Sequence, residues 1–183
     1  AGPTPMALRK DAMLAATRIM QEVVAAAHRH PPHGRGTVGM VQVFPNSRNV
    51  IPGRVKFSID LRNSTDELVD AMATEVKAFA DQVAKEHGVQ VHIEMVSSYP
   101  AQLFQPECVQ AVGRAAAKLG YSHMPAVSGA GHDAVYMAKL APSGMIFIPC
   151  KDGISHNEIE DAKPEHIDAG ANVLLLAMLE RAQ

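Results

Sequence analysis

Two cysteines in 183 residues, Cys108 and Cys150, are too few for a disulfide framework or a thiolate metal cage, and such scarcity fits a reducing cytoplasm. No stretch approaches the roughly 20 apolar residues needed to cross a bilayer. The opening Ala1-Gly2-Pro3-Thr4-Pro5-Met6 has neither the basic region nor the apolar core of a signal peptide, so no membrane partner is expected. Neither sign of charge dominates: 17 Lys and Arg against 19 Asp and Glu leave a formal charge of −2. That balance provides no broad electrostatic footprint for nucleic acid, and a small-molecule partner is expected instead. There is no G-x-S-x-G elbow, no phosphate-binding Gly-Lys loop and no H-E-x-x-H helix. Nor do enough histidines and carboxylates gather in one motif to supply the three or four ligands a metal needs. No catalytic residue is therefore expected within this chain. It also starts without Met, in what reads as a loop leading into a helix, as expected of a piece of a longer protein.

What is present is ordinary globular material, 47% hydrophobic, with length for one good-sized core or two small ones. Thr4 with Pro5 reads as a helix start, and Leu8, Ala12, Ala15, Ala16, Ile19, Val23 and Ala27 recur at helical spacing to about residue 29. After the breakers His30-Pro31-Pro32-His33-Gly34, the runs 38–44 and 54–62 have strand composition and are expected to pair as a hairpin. The second run alternates polar and apolar residues, as a half-buried strand does. Ser64 with Glu67 resembles a capping box for a helix on Leu68, Met72, Val76, Phe79 and Val83 that stops at Gly88. Val89, Val91, Ile93 and Met95 alternate as a third strand. The order α-β-β-α-β, with one strand added upstream, is the ferredoxin-like split arrangement of two helices over an antiparallel sheet. From Pro106 onward the pattern becomes α/β: a helix to Leu119, a helix from Asp133 to Leu140, the apolar strand Met145-Ile146-Phe147-Ile148 and a helix from Pro164. About 80 residues cannot complete a doubly wound sheet, so this is expected to be the closing part of one.

Three places have residues suited to chemistry. Gly153-Ile154-Ser155-His156-Asn157-Glu158 follows the apolar strand and puts His156 where open α/β sheets hold ligands, a candidate metal ligand; otherwise His156 is a solvated or capping side chain. In Ser128-Gly129-Ala130-Gly131-His132-Asp133-Ala134, small residues let a ligand approach the backbone, free amides near a helix start can hold an anion, and His132 can donate to a carbonyl oxygen. The alternative is a Gly-rich helix start capped by Asp133. Arg62 ends a strand 13 positions after Asn49, a candidate carboxylate clamp with an orienting amide; the alternative is a surface ion pair with Asp60 or Asp66. His28, His30 and His33 are read as solvated turn residues.

Together, Ala1-Gly2-Pro3-Thr4-Pro5-Met6 with Arg9 and Asp11, Asn49-Val50-Ile51-Pro52-Gly53, Asp60-Leu61-Arg62, the 128–134 motif and Ile154-Ser155-His156-Asn157-Glu158 resemble the N-carbamoyl-L-amino-acid hydrolase family. Its near relatives are beta-ureidopropionase and allantoate amidohydrolase. The resemblance implies a lid and dimerisation domain over 1–98 and the carboxyl-terminal portion of a peptidase-like catalytic domain over 99–183. It implies two divalent metals, zinc, manganese, cobalt or nickel, with His156 as a ligand of one. Asn49 and Arg62 would hold the substrate carboxylate, and Gly131 with His132 would contact the substrate. The implied partners are a carbamoyl or ureido acid and a second copy of the chain, joined through residues 1–98. The remaining metal ligands and the general-base glutamate belong, by this resemblance, to a segment outside the chain. Allantoate or another ureido acid is the alternative substrate; the stretch by itself could serve only for dimerisation and substrate orientation.

Overall fold

The computed structural model describes residues 1–182. Two compact units make up the chain, one over Ala1–Ala101 and one beginning at Gln102.

The first unit is built on two helices. Helix α1 spans Ala12–Arg29 and buries Ala15, Ala16, Ile19, Val23, Ala26 and Ala27, the stripe that 3.6-residue periodicity requires. Its start differs from the expectation at Thr4. Asp11 is the cap, its Oδ1 accepting from the amides of Met13 and Leu14 at 2.9 and 3.1 Å, while Met6–Leu8 form a separate 3-10 turn. The physical reason is Arg9, whose Nε donates to Thr4 O at 2.9 Å, so that carbonyl is engaged outside any helical ladder. Helix α2, Asp66–His87, buries Met72, Val76, Ala80 and Val83 and ends at Gly88 in the left-handed region, φ 61°. The cap is Thr65 rather than Ser64: Thr65 Oγ1 accepts from Leu68 N, whereas Ser64 turns to Asn63. Arg29 pairs with Glu75 and Arg18 with Glu86, so the helices run antiparallel. His30 joins the first pair, Nε2 to Glu75 Oε1 at 2.7 Å, and is thus partnered rather than solvated.

Four short strands cover this pair: β1 Arg35–Thr37, β2 Val41–Phe44, β3 Arg54–Phe57 and β4 Asp60–Arg62. The expected hairpin forms, but in two antiparallel pieces, β2 with β3 and β1 with β4. Between them three residues, 38–40, face two, 58 and 59, so one extra residue breaks the ladder as a bulge does. Ser58 bridges the gap, its amide donating to Met40 O at 3.0 Å and its Oγ accepting from Met40 N at 3.1 Å. Phe57, Ile59 and Leu61 turn inward onto the helices, while Asp60 and Arg62 point outward, as the alternation requires. Gly36 lies so close to α1 that a Cβ there would sit 2.3 Å from Val23 O.

The expected strand at Val89–Met95 is not formed. Val89 and Val91 pack on the core, but residues 89–100 join no ladder among the described residues. Alternation records which side chains turn inward; a strand also needs a hydrogen-bonding neighbour. The α-β-β-α-β expectation is thereby reduced to two helices and a bulged hairpin.

In the second unit, helices α3 (Pro106–Lys118) and α5 (Pro164–Arg181) pack through Ala111, Ala115, Ala116, Val173 and Ala177. The helix expected over 133–140 is the single turn α4, Ala134–Met137. Met145–Ile148 also lacks a ladder among the described residues, although Ile146 packs on the helix pair. The fold is therefore a mixture of helices and small sheets. No described helix is long and apolar enough to cross a membrane.

Candidate functional site

The candidate residues lie in both units. In the first, Asn49 is in the turn beyond the Phe44–Arg54 pair, and Arg62 pairs with Arg35 at the other end of the hairpin. The hairpin register does not bring the two together. Asn49 accepts from Gly2 N through its backbone oxygen at 2.8 Å, and its Oδ1 takes a long contact, 3.4 Å, from Ser47 Oγ. Arg62 donates to both oxygens of Asp60, Nε at 3.1 and 3.2 Å and Nη2 at 2.7 Å. That hydrogen bonding holds the Asp60 carboxyl below the usual carboxylate range against the opposing effect of burial, and holds the guanidinium more firmly protonated. Both side chains are nearly half exposed, 48% for Arg62 and 47% for Asp60, so the pair is worth only about 0–1 kcal/mol and can be exchanged for another carboxylate.

In the second unit, Ser128 Oγ donates to Ala130 O at 3.0 Å and leaves Gly131 open, with nothing within 4 Å of where a Cβ would be. Asp133 does not cap α4. His132 does: the amide of Ala134 donates to its Nδ1 at 3.2 Å. An accepting Nδ1 means that the neutral ring has its proton on Nε2. The ring thereby presents an N–H donor of the kind that stabilises a carbonyl oxygen.

His156 has φ 57°, an uncommon backbone conformation for a residue with a Cβ. Such a conformation costs on the order of 1 kcal/mol and persists only where the surroundings hold it. Here the His156 amide donates to Glu160 Oε2 at 2.7 Å, and the turn is closed by Glu160 N to Asn157 O at 3.0 Å and Ile159 N to Asn157 Oδ1 at 3.2 Å. A hydrogen bond to a charged group contributes roughly 1.5–3 kcal/mol, enough to offset the strain. Neither ring nitrogen of His156 has a partner among the described residues. No group of three His, Cys, Asp or Glu side chains able to hold a metal occurs among the described residues.

Residues 11–180 match the family described as peptidase family M20/M25/M40. The chain belongs to this family. This M20 chain is 46% identical over 182 residues to an N-carbamoyl-L-amino-acid amidohydrolase of Rhizobium meliloti, covering 100% of the chain and 44% of that protein. It is 31% identical over 174 residues to an allantoate amidohydrolase of Bacillus subtilis, covering 95% and 42%. Among solved structures, a hydantoinase/carbamoylase family amidase from Burkholderia multivorans superposes with a TM-score of 0.94 at 52% identity, over 100% of this chain and 44% of that one. The M20 chain thus spans less than half the length of these relatives.

Two participants in the M20 chain's candidate sites have no periodic signal. Glu160 is recognisable only by its spacing of four from His156, and Arg9 only by its place in the 1–11 motif.

Proposed function

We propose that the chain is the carboxyl-terminal part of a metal-dependent amidohydrolase that cleaves N-carbamoyl-L-amino acids to the amino acid, carbon dioxide and ammonia. Supporting this most directly is the 46% identity to a carbamoyl-amino-acid amidohydrolase along the whole chain. Residues 1–98 are read as the lid and dimerisation domain, in which two helices and a bulged hairpin are the formed part of the ferredoxin-like arrangement. Residues 99–183 are read as the end of the catalytic domain, which completes the sheet around Met145–Ile148.

His156 suits a metal in being an unpartnered imidazole on a held turn, and it is one ligand of the three or four required. The pair of divalent ions, zinc, manganese, cobalt or nickel, would supply Lewis acidity toward the carbamoyl group and toward water. The chain's own residues bind and orient. His132 donates from Nε2 to the substrate's carbonyl oxygen, and the open backbone at Gly131 admits the substrate beside it. Arg62 exchanges Asp60 for the substrate carboxylate, and the Asn49 amide, which the hairpin register holds apart from Arg62, is read as a separate contact to substrate. The exchange is feasible because the exposed Arg62–Asp60 pair contributes so little. In the full-length enzyme, Arg62→Ala is expected to raise KM for an N-carbamoyl-L-amino acid by about tenfold or more and to leave KM for its uncharged amide analogue unchanged. Equal increases for both substrates would remove the clamp.

Allantoate or another ureido acid is the second reading, favoured by the 31% identity to an allantoate amidohydrolase. A carboxylate clamp serves either substrate. Free cysteines at 108 and 150 fit a cytoplasmic enzyme.

A second copy of the chain is the proposed protein partner. Met20, Gln21, Val24, Gly36, Thr37 and Val38 line a shallow, mainly apolar groove of about 520 Å³. Beside it β1 pairs only with β4 among the described strands, so its other edge is available to a partner. Sedimentation at micromolar concentration is expected to give a dimer, and Val24→Asp a monomer; a monomeric unsubstituted protein would refute this interface.

A further inference from the structure

The segment Ala1–Asp11 carries a motif that neither the metal nor the substrate contacts explain. It runs along the turn that presents Asn49. Gly2 N donates to Asn49 O at 2.8 Å, and at the other end of the segment Ala12 N donates to Pro52 O at 3.1 Å. Arg9 is half-buried and ties the segment down, with Nη2 to Gly2 O at 2.6 Å and Nε to Thr4 O at 2.9 Å. Thr4 N in turn donates to Ala1 O at 3.0 Å. Both sides of Gly2 are therefore engaged: its amide holds the hairpin turn and its carbonyl is held by Arg9.

Space at Gly2 is as restricted as its hydrogen bonding. A Cβ there would lie 2.8 Å from Asn49 O, closer than real Cβ atoms come to a backbone oxygen. Any side chain must push the Asn49 turn away. A guanidinium is the group that can reach two carbonyls at once, because its donors form a rigid fork; a lysine ammonium, a point charge on a flexible stem, has no such preorganisation.

We infer that Arg9 is a positioning residue, acting through Gly2 to fix the Asn49 turn in the conformation that receives substrate. This rests on the reading of Asn49 as a substrate contact. Arg9 touches no substrate; its effect is on where the Asn49 amide stands, so it bears on substrate affinity and not on the chemical step.

The test is a set of variants of the full-length enzyme: Arg9→Ala, Arg9→Lys, Gly2→Ala, Asn49→Ala and the double variant Arg9→Ala with Asn49→Ala. Arg9→Ala and Gly2→Ala break the same link from opposite sides, so a folding defect in one leaves the other informative. Each is expected to raise KM for an N-carbamoyl-L-amino acid by about tenfold with kcat changed less than about twofold. Arg9→Lys is expected to recover only part of the loss. Amide hydrogen exchange at residues 46–53 is expected to quicken in both single variants, a change read independently of activity. The double variant is expected to be no worse than Asn49→Ala alone, because both substitutions remove one contact. Should Asn49→Ala raise KM while Arg9→Ala and Gly2→Ala leave KM and exchange unaltered, the positioning role is overturned and Asn49 stands. Should Asn49→Ala itself leave KM unchanged, the reading of Asn49 fails and takes the positioning role with it.

Discussion

Replacing His156 with alanine in the full-length enzyme is expected to lower kcat/KM by about a thousandfold, roughly 4 kcal/mol of transition-state stabilisation, with loss of bound metal measured on the same sample. The size follows from the role proposed for the ring, that of a metal ligand without which the ion's charge would no longer be held at the reacting group. A glycine at the same position separates function from folding. Because φ at His156 is 57°, glycine relieves the backbone strain that the Glu160 hydrogen bond offsets. His156→Gly is therefore expected to be as stable as the unsubstituted protein or up to about 1 kcal/mol more so, while being as inactive as His156→Ala. Strain retained where only function gains from it is the pattern of a working site. A His156→Gly variant with full metal content and activity would show that the turn holds the ring for some other purpose.

The largest expected effect on stability lies at Gly36. A Cβ there would meet Val23 O at 2.3 Å and Val23 C at 3.1 Å, both backbone atoms of α1, so neither rotamer change nor side-chain movement relieves the contact. The helix must move away from β1, and Val23, fully buried, moves with it. Overpacking of this kind costs about 1–3 kcal/mol. In a unit of about 100 residues that corresponds to a fall in Tm of roughly 5–20 °C. Gly53→Ala is the control, because nothing lies within 4 Å of its Cβ position; its Tm is expected to stay within about 3 °C. Equal shifts for the two substitutions, measured by circular dichroism, would mean that β1 does not pack on α1 in this way.

Both helices of the first unit were legible because burial there is periodic. Met72, Val76 and Val83 on α2, and Ile19 and Val23 on α1, repeat at the spacing of one helical face and are buried. Helix starts were less legible. Thr4 and Asp11 are both good caps in isolation, and the choice between them is made by Arg9, a contact with no sequence period. Ser64 and Thr65 are neighbouring hydroxyls, and a shift of one residue exchanges their roles.

Strands depend on partners, which local pattern does not record. Arg54–Arg62 alternates and finds its hairpin mate; Val89–Met95 alternates as well but has no ladder neighbour among the described residues. In α5, Leu174, Leu175, Met178 and Leu179 are each at least half exposed, so this helix is apolar on more sides than its packing against α3 covers. For the candidate site, residue types and spacing singled out Arg62, His132 and His156. The tautomer of His132, the strain at His156 and the grip of Asp60 on Arg62 arise from three-dimensional geometry that residue type and spacing do not record.

Whether these residues orient substrate for a site the chain does not complete is decided by ammonia release from an N-carbamoyl-L-amino acid. The 183-residue chain and a protein of the relatives' full length are compared with zinc, manganese, cobalt or nickel added. Release by the full-length protein and none by the 183-residue chain is the expected result. Metal-dependent release by the 183-residue chain would contradict it, because its own residues would then complete the site.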